Sequence, residues 1–360
     1  MKIAFDHQIF AQQHYGGISR YIVRLAGELA AAGHGVSIAA PFHINAYLGE
    51  LPVGLVIGHR VPASRWGGRA MRLANAALIR PLLARIGPEI VHETYFAARR
   101  TAPRRARTVL TAYDMIHEKF PASFPASDPT AALKAAAIAR ADHVLCISES
   151  TRRDLIEIHP GAAAKSSVTL LGFDPAPLVG HLTAGRPYLL FVGQRGGYKN
   201  FAGLLDAYAA SPALRRDFDL LAAGGGSFSA DEAAAIAAHG LTAQVRQQPV
   251  DDGALHACFA RASVFIYPSL YEGFGIPPLE AMAARTPVVA IAAGSVPEVC
   301  GDAAAYAPPG DSAALAAAIE AVAFDSGAVA RLIAAGTQRL TRFSWARCAA
   351  DTAAVYRSLL

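Results

Sequence analysis

The chain has 360 residues, 53% of them hydrophobic and 17% charged, with a net charge of +5. That length exceeds what one core ordinarily spans and predicts two domains, while the apolar content excludes a disordered chain. The basic excess is uneven: residues 1–174 hold 20 Lys and Arg against 13 Asp and Glu, and residues 175–360 hold 13 against 15.

Met1 to Phe5 enters strand-like sequence directly, with no signal peptide, and no uncharged apolar run long enough to cross a membrane follows. A cytoplasmic protein is expected. A strand over Lys2–Asp6 leads through Gly16-Gly17 to a helix over Ile18–Ala32, with Ile18, Ile22, Leu25 and Leu29 on one face. Gly33 closes that helix and Gly35–Ala40 forms the second strand. Residues 60–107 concentrate eleven arginines against Glu89 and Glu93 only. There Arg65, Arg69 and Arg72 follow helical spacing, Trp66, Met71, Leu73 and Leu78 fall on other faces, and Pro81 interrupts. The stretch reads either as the solvated face of a core-packing helix or as a basic surface for an anionic membrane. With few aromatics among the arginines, no nucleic-acid partner is expected.

Further strands are predicted at Glu89–Glu93, Thr108–Tyr113 and His143–Ile147, and their alternation with helices predicts a parallel α/β sheet. Around Gly172 to Gly185 the periodicity lapses into Pro, Gly and short polar residues, as in a linker. Tyr188–Val192 is then a strand, Gly193–Tyr198 a glycine-rich turn and Asn200–Ala210 a helix, so the second half begins as the first does. Cys146, Cys258, Cys300 and Cys348 lack paired-ligand spacing and read as buried thiols. Asp217-x-Asp219 and Asp251-Asp252 are explained by a strand start and a helix start, and no metal site is expected.

Two stretches carry chemistry. In FVGQRGGYKN, Arg195 and Lys199 flank a glycine turn at a helix N-terminus, where two cations and backbone donors can converge on a diphosphate. In Ser263–Ala290, a strand runs into a loop with Gly273, Phe274 and Gly275, then Ile276 and a helix starting near Pro278, then another strand over Pro287–Ile291. Glu272 lies before that helix and Glu280 in its first turn. Carboxylates beside an anion site accept hydrogen bonds from hydroxyls that the phosphate carries, which points to a nucleotide sugar. The plainer alternative is that Glu280 complements the helix dipole and Glu272 is solvated.

YEGFGIPPLEAMAARTPVV, with Glu272 and Glu280 separated by seven residues, resembles the signature of the family-four retaining glycosyltransferases, as do FVGQRGGYKN and HYGGISRY. The resemblance implies the GT-B fold: two Rossmann-like domains facing a cleft, over residues 1–174 and 175–342, with a closing helix over 343–360 that returns to the first. It implies that Gly16 and Gly17 approach donor phosphate or acceptor, and that Arg195 and Lys199, with Gly193, hold the diphosphate as leaving group. Val250 meets the donor base through its backbone, and the loop from Gly273 to Ile276 lines the donor. Tyr113 stands where the family commonly has histidine, so Tyr113, Asp114 or His117 supplies the polar contact to sugar or acceptor there.

The expected activity is transfer of a hexose from a nucleotide diphosphate sugar, GDP-mannose favoured and UDP-hexoses next, to a glycan or lipid-diphosphate-linked acceptor of cell-envelope polysaccharide. No cofactor is implied beyond the donor. Arg195, Lys199 and a helix N-terminus stabilise the departing diphosphate, Glu272 orients the sugar, Glu280 holds the ribose, and domain closure excludes water. A nucleotide-sugar 2-epimerase and a non-catalytic nucleotide-sugar-binding protein are the alternatives.

Overall fold

The computed structural model describes residues 1–62, 68–175 and 185–360. Arg65 and Trp66, and most of the linker expected between Gly172 and Gly185, lie outside the described residues. The chain divides into two compact units, Met1–Gly172 with Phe343–Leu360, and Phe173–Arg342.

The first unit is built on a seven-stranded sheet of β1 (Lys2–Phe5), β2 (Gly35–His43), β3 (Val56–Arg60), β4 (Ile90–Glu93), β5 (Arg107–Ala112), β6 (His143–Cys146) and β7 (Ser166–Val168). Its order is β3-β2-β1-β4-β5-β6-β7, with every pair parallel. The inner strands read as short apolar runs because helices cover both faces of such a sheet. The edge strand β3 is mostly exposed. A side chain at its Gly58 would collide with the Ala40 carbonyl, where the register of β2 shifts.

The sequence predicts an interruption at Pro81, but one helix runs from Gly68 to Ile86 through it. The reason is local. Pro81 faces solvent, so the carbonyl it deprives of a partner reaches water, while Met71, Asn75, Ile79 and Leu83 form the buried face. Asn75 sits on that face because its amide clamps the backbone N–H and carbonyl of Phe42, at 2.9 Å each.

The closing helix, Trp345–Ser358, is capped by Ser344 and packs on the helix Gly17–Ala31. It is also tied in by a buried polar chain. Tyr356 Oη lies 2.6 Å from His92 Nδ1, His92 Nε2 lies 2.8 Å from Thr111 Oγ1, and Thr111 Oγ1 lies 3.3 Å from Tyr21 Oη. Burial pushes His92 down to about 3. The ring is therefore neutral, and its one donor and one acceptor nitrogen satisfy both partners.

The second unit holds β8 (Tyr188–Val192), β9 (Asp219–Ala223), β10 (Val245–Gln248), β11 (Val264–Tyr267), β12 (Val288–Ile291) and β13 (Ala304–Ala307), in the order β10-β9-β8-β11-β12-β13. All are parallel. Phe191, Phe201, Leu204, Tyr208, Leu220, Ile266 and Ile319 belong to the core between sheet and helices. In both sheets the order reverses once, between β1 and β4 and between β8 and β11. Loops leaving such a pair diverge and open a crevice at the carboxyl ends of the strands, the usual place for a ligand in an open α/β sheet.

All four cysteines are buried and free. Among the described residues no single helix is long and apolar enough to cross a membrane.

Tyr356→Phe leaves a buried His92 nitrogen without its partner. The expected cost is about 1–3 kcal/mol, seen as a lower denaturant midpoint with the helical circular dichroism of the native protein unchanged.

Candidate functional site

The reversal between β8 and β11 brings together the two stretches that carry chemistry. Gly193 follows β8 with a φ of 111°, and a side chain there would meet nothing within 4 Å, so the backbone borders open space. The turn beyond it is stitched to the loop after β11: Asn200 Nδ2 donates to the Pro268 carbonyl at 3.2 Å and Leu270 N to the Tyr198 carbonyl at 2.7 Å. These ties set Lys199 against Glu272, 2.6 Å from Nζ to Oε1, with side-chain exposures of 21% and 10%. The Lys199 ammonium also lies 5.3 Å from the Tyr198 ring and 5.8 Å from the Tyr267 ring, within cation–π reach of both.

Glu272 is held from behind as well. Ser295, fully buried, gives its hydroxyl to the carbonyls of Glu272 (3.0 Å) and Phe274 (2.8 Å). Gly294 has a φ of 57° and lies so close that a Cβ would stand 2.8 Å from the Glu272 backbone. Glycine is required there on both counts.

Arg195 has a different position from the one the sequence suggests. It is buried, with Nε on Glu232 Oε1 at 2.9 Å, Nη1 on the Gly224 carbonyl at 3.0 Å, and Nη2 shared among the carbonyls of Gly225, Gly226 and Ser227. Its guanidinium lies 5.0 Å from the Phe228 ring. A planar fork of five donors suits a turn that presents several carbonyls at once, so the side chain shapes the Gly224–Ser227 loop. The pairing also holds the Glu232 carboxyl below its usual range despite burial. Val250 borders this loop, with Cγ2 3.8 Å from where a Gly224 side chain would begin.

The helix after Gly275 begins at Ile276, two residues before the expected start. Glu280 consequently lies in its second turn, half-buried, and not in the first. Pro277 and Pro278 occupy the first turn and bring no N–H. The anion-binding capacity of that helix end therefore rests on the N–H groups of Gly275 and Ile276. Gly273 and Phe274 are buried, and Ile276 is half-buried.

In the first unit Gly16 is extended and Gly17 opens the helix Gly17–Ala31. The helix start is covered by Gln13, whose Oε1 accepts from Ser19 N at 3.1 Å. A side chain at Gly16 would overlap the Gln13 amide. Tyr113 is removed as a contact for sugar or acceptor: its ring turns into the core and its hydroxyl donates to the Thr94 carbonyl at 3.0 Å. Asp114 accepts from Ile116 N at 3.0 Å and lies 3.6 Å from the buried Lys134 ammonium. His117 stacks on Phe124 at 3.9 Å and approaches Asp128 at 3.7 Å. Of the three, Asp114 and His117 keep partial exposure.

The acidic pairs have structural work. Asp219 pairs with Arg246 at 2.7 Å and Arg186 at 3.3 Å, and Asp251 caps the helix Asp252–Arg261. Among the described residues no group of three metal-ligating side chains gathers.

Residues 180–339 match the family model described as glycosyl transferases group 1, and residues 15–176 match the one described as glycosyltransferase family 4. The chain belongs to these glycosyltransferases, which have the GT-B fold. It is 32% identical to O-antigen chain mannosyltransferase B of Escherichia coli over 60% of this chain and 60% of that protein. It is 26% identical to phosphatidyl-myo-inositol mannosyltransferase of Mycobacterium leprae over 96% of this chain and 93% of that protein. The match thus spans less than two thirds of the first of these relatives. The fold is shared with Anabaena HepE, solved in complex with UDP and glucose, at a TM-score of 0.73 and 19% identity over 99% of this chain and 100% of that one.

Around the β8–β11 reversal Ser295, Gly294, Glu232 and Tyr267, and in the first unit Gln13, escape a reading of motifs. Each acts through backbone or through another side chain. Only the Gly294-Ser295 turn leaves a sequence trace, and the trace does not say which residue the turn supports.

Arg195→Lys replaces a fork by one ammonium and leaves loop carbonyls unpaired. The expected loss is about 2 kcal/mol, with faster amide exchange confined to the Gly224–Phe228 segment and its neighbours.

Proposed function

We propose that the protein is a retaining glycosyltransferase that moves a hexose, mannose from GDP-mannose in the favoured form, to a glycan or lipid-diphosphate-linked acceptor of cell-envelope polysaccharide. The observation that carries the reading is Lys199 placed against Glu272 at the strand-order reversal of the second unit. A cation for a diphosphate and a carboxylate for sugar hydroxyls stand side by side at the edge where such sheets bind ligands. Membership of the family and two mannosyltransferase relatives support the sugar; the UDP and glucose bound by HepE keep UDP-hexoses as the second donor class.

In the proposed reaction the anomeric C–O bond to the diphosphate breaks as the acceptor oxygen attacks from the same face. The acceptor proton passes to the departing phosphate oxygen. Lys199 and the N–H groups of Gly275 and Ile276 stabilise the charge growing on the diphosphate, with no metal ion in the step. Arg195 contributes by ordering the Gly224–Ser227 loop. Glu272 orients the sugar, Glu280 the ribose, and Val250 borders the base. Asp114 and His117 serve the acceptor side.

Attachment to the inner face of an anionic membrane fits the helix Gly68–Ile86, where Arg69, Arg72, Arg80 and Arg85 accompany the exposed Leu73 and Leu78. Wild-type protein is expected to float with liposomes containing anionic lipid and not with neutral ones, and Arg69→Glu with Arg72→Glu is expected to abolish flotation. Equal flotation of the double variant removes the membrane from the proposal.

A thermal-shift screen of GDP, UDP and their sugar conjugates tests the donor. One nucleotide is expected to stabilise the protein, by about 2.7 kcal/mol at a hundredfold excess over Kd, and Lys199→Ala and Glu280→Ala to reduce the shift. A screen in which no nucleotide stabilises the wild type refutes the reading.

A further inference from the structure

A second group of polar and aromatic side chains gathers in the first unit, at the carboxyl edge of its sheet over β2 and β3. There the loop after β1 is bound to the loop after β2. Ile44 N donates to the Phe10 carbonyl at 3.1 Å, Ala46 N to the His14 carbonyl at 2.9 Å, and Asn45 Nδ2 to the Gln13 and His14 carbonyls at 2.8 and 3.3 Å. Asn45 is itself fully buried. The backbone that carries His14 and Tyr15 is therefore set before any ligand arrives, as in binding loops held by a rigid scaffold.

The side chains on this fixed backbone stay in solvent. Tyr15 is 63% exposed, the most of any described aromatic residue. Its ring meets His14 edge-on at 4.5 Å and Tyr47 at 5.2 Å, and Tyr47 belongs to a short turn anchored by the buried Leu48. Edge contacts of this kind hold an aromatic ring in place and here leave most of its surface open. Arg60, exposed at the end of β3, sets Nη2 3.1 Å from His14 Nε2. An arginine only donates, so the imidazole accepts. Among the described residues the guanidinium makes no other hydrogen bond, and the rest of its five donors stay available to a guest.

A hexose ring has two kinds of surface, a patch of C–H bonds and a belt of hydroxyls. An aromatic ring suits the first and a planar fork of donors the second. We propose that Tyr15, Tyr47 and Arg60 form a subsite for one hexose unit of the acceptor glycan, with the tyrosines packed on its C–H face and the guanidinium bonded to its hydroxyls. This rests on reading the protein as one that transfers a sugar to a glycan. Position adds a constraint. The reversal of this sheet lies between β1 and β4, and β3 is two strands beyond β1 on the other side, so the cluster stands roughly 10 Å from that crevice at the usual strand spacing. One hexose ring does not span that gap. With the accepting end at the crevice, the sugar held here is an inner unit, and the acceptor is an oligosaccharide.

Three substitutions separate the contributions. Tyr15→Ala removes the packing surface and is expected to weaken binding of a hexose disaccharide about tenfold. Tyr15→Phe keeps the ring and is expected to bind within about twofold of wild type. Arg60→Met keeps an apolar stem without donors, and a loss of about tenfold is expected. None of the three touches Lys199 or Glu280, so stabilisation by nucleotide is expected to be unchanged in all of them.

The experiment is a fluorine NMR titration of fluorotyrosine-labelled protein with mannobiose, cellobiose and lactose, on wild type and the three variants, with thermal shifts by GDP and UDP alongside. Saturable shifts of the Tyr15 and Tyr47 signals with at least one disaccharide support the proposal when affinity, read at Tyr47, is kept in Tyr15→Phe and lost in Tyr15→Ala and Arg60→Met. No response to any of the three sugars up to their solubility overturns it, as does full affinity in Tyr15→Ala or Arg60→Met. Stabilisation by nucleotide without a sugar response overturns the subsite alone. A sugar response without stabilisation by nucleotide supports the subsite and overturns the transfer reading, and the absence of both overturns both.

Discussion

The strand order of the second sheet is the constraint from which the site follows. All six strands run parallel, so every carboxyl end lies on one edge, and the reversal between β8 and β11 sends the two adjoining loops apart. The hydrogen bonds from Asn200 to Pro268 and from Leu270 to Tyr198 limit that divergence. Lys199 and Glu272, 73 residues apart in sequence, meet because of these ties. No local propensity could place them so.

Electrostatics then divides the labour between two cations. Arg195 has a planar, permanently charged head with five donors, and the carbonyls of Gly224 to Ser227 together with Glu232 use that geometry. Once such a network is satisfied, moving one member unmakes several bonds. Lys199 has a compact head on a four-carbon stem and one carboxylate partner. Its head can change partners by rotating side-chain torsions. The fixed cation shapes the loop, and the adaptable one is suited to a guest that comes and goes.

Much of this was legible in the sequence for identifiable reasons. The buried strands were, since parallel pairing demands short apolar runs, and so were the amphipathic helices Gly17–Ala31 and Phe201–Ala210, whose apolar faces repeat at helical spacing. The edge strand β3 was not, because solvent takes one side of it; nor was β13, whose alanines fit helix and strand alike. Pro81 misled because the cost of proline depends on which way the freed carbonyl points, and only packing decides that. Glu272 and Lys199 are singled out by their motifs, and the structure sets the two side chains in contact. The inward turn of Arg195 and the support from Ser295 were not legible, since they depend on what lies across the strand ends.

The two reversal points treat their carboxylates in opposite ways. At the ends of β1 and β4, Asp6 and Glu93 are fully buried. Asp6 accepts from Gln8 Nε2, Thr94 N, Thr94 Oγ1 and Thr101 Oγ1 between 2.6 and 3.0 Å, and Glu93 pairs with Arg140. Burial and the nearby Asp6 push the Glu93 carboxyl up, and Arg140 pulls it back. Every lone pair used this way is spent on holding strand ends together, and exchange with a ligand would leave buried charges unpaired. At the ends of β8 and β11 the corresponding carboxylate, Glu272, keeps a partial opening to solvent and pairs with a Lys199 side chain that is itself partly exposed. Similar topology therefore yields a fully buried polar scaffold in one unit and a partly exposed charge pair in the other. The difference lies in side chains that complete or leave open the hydrogen bonding at each edge.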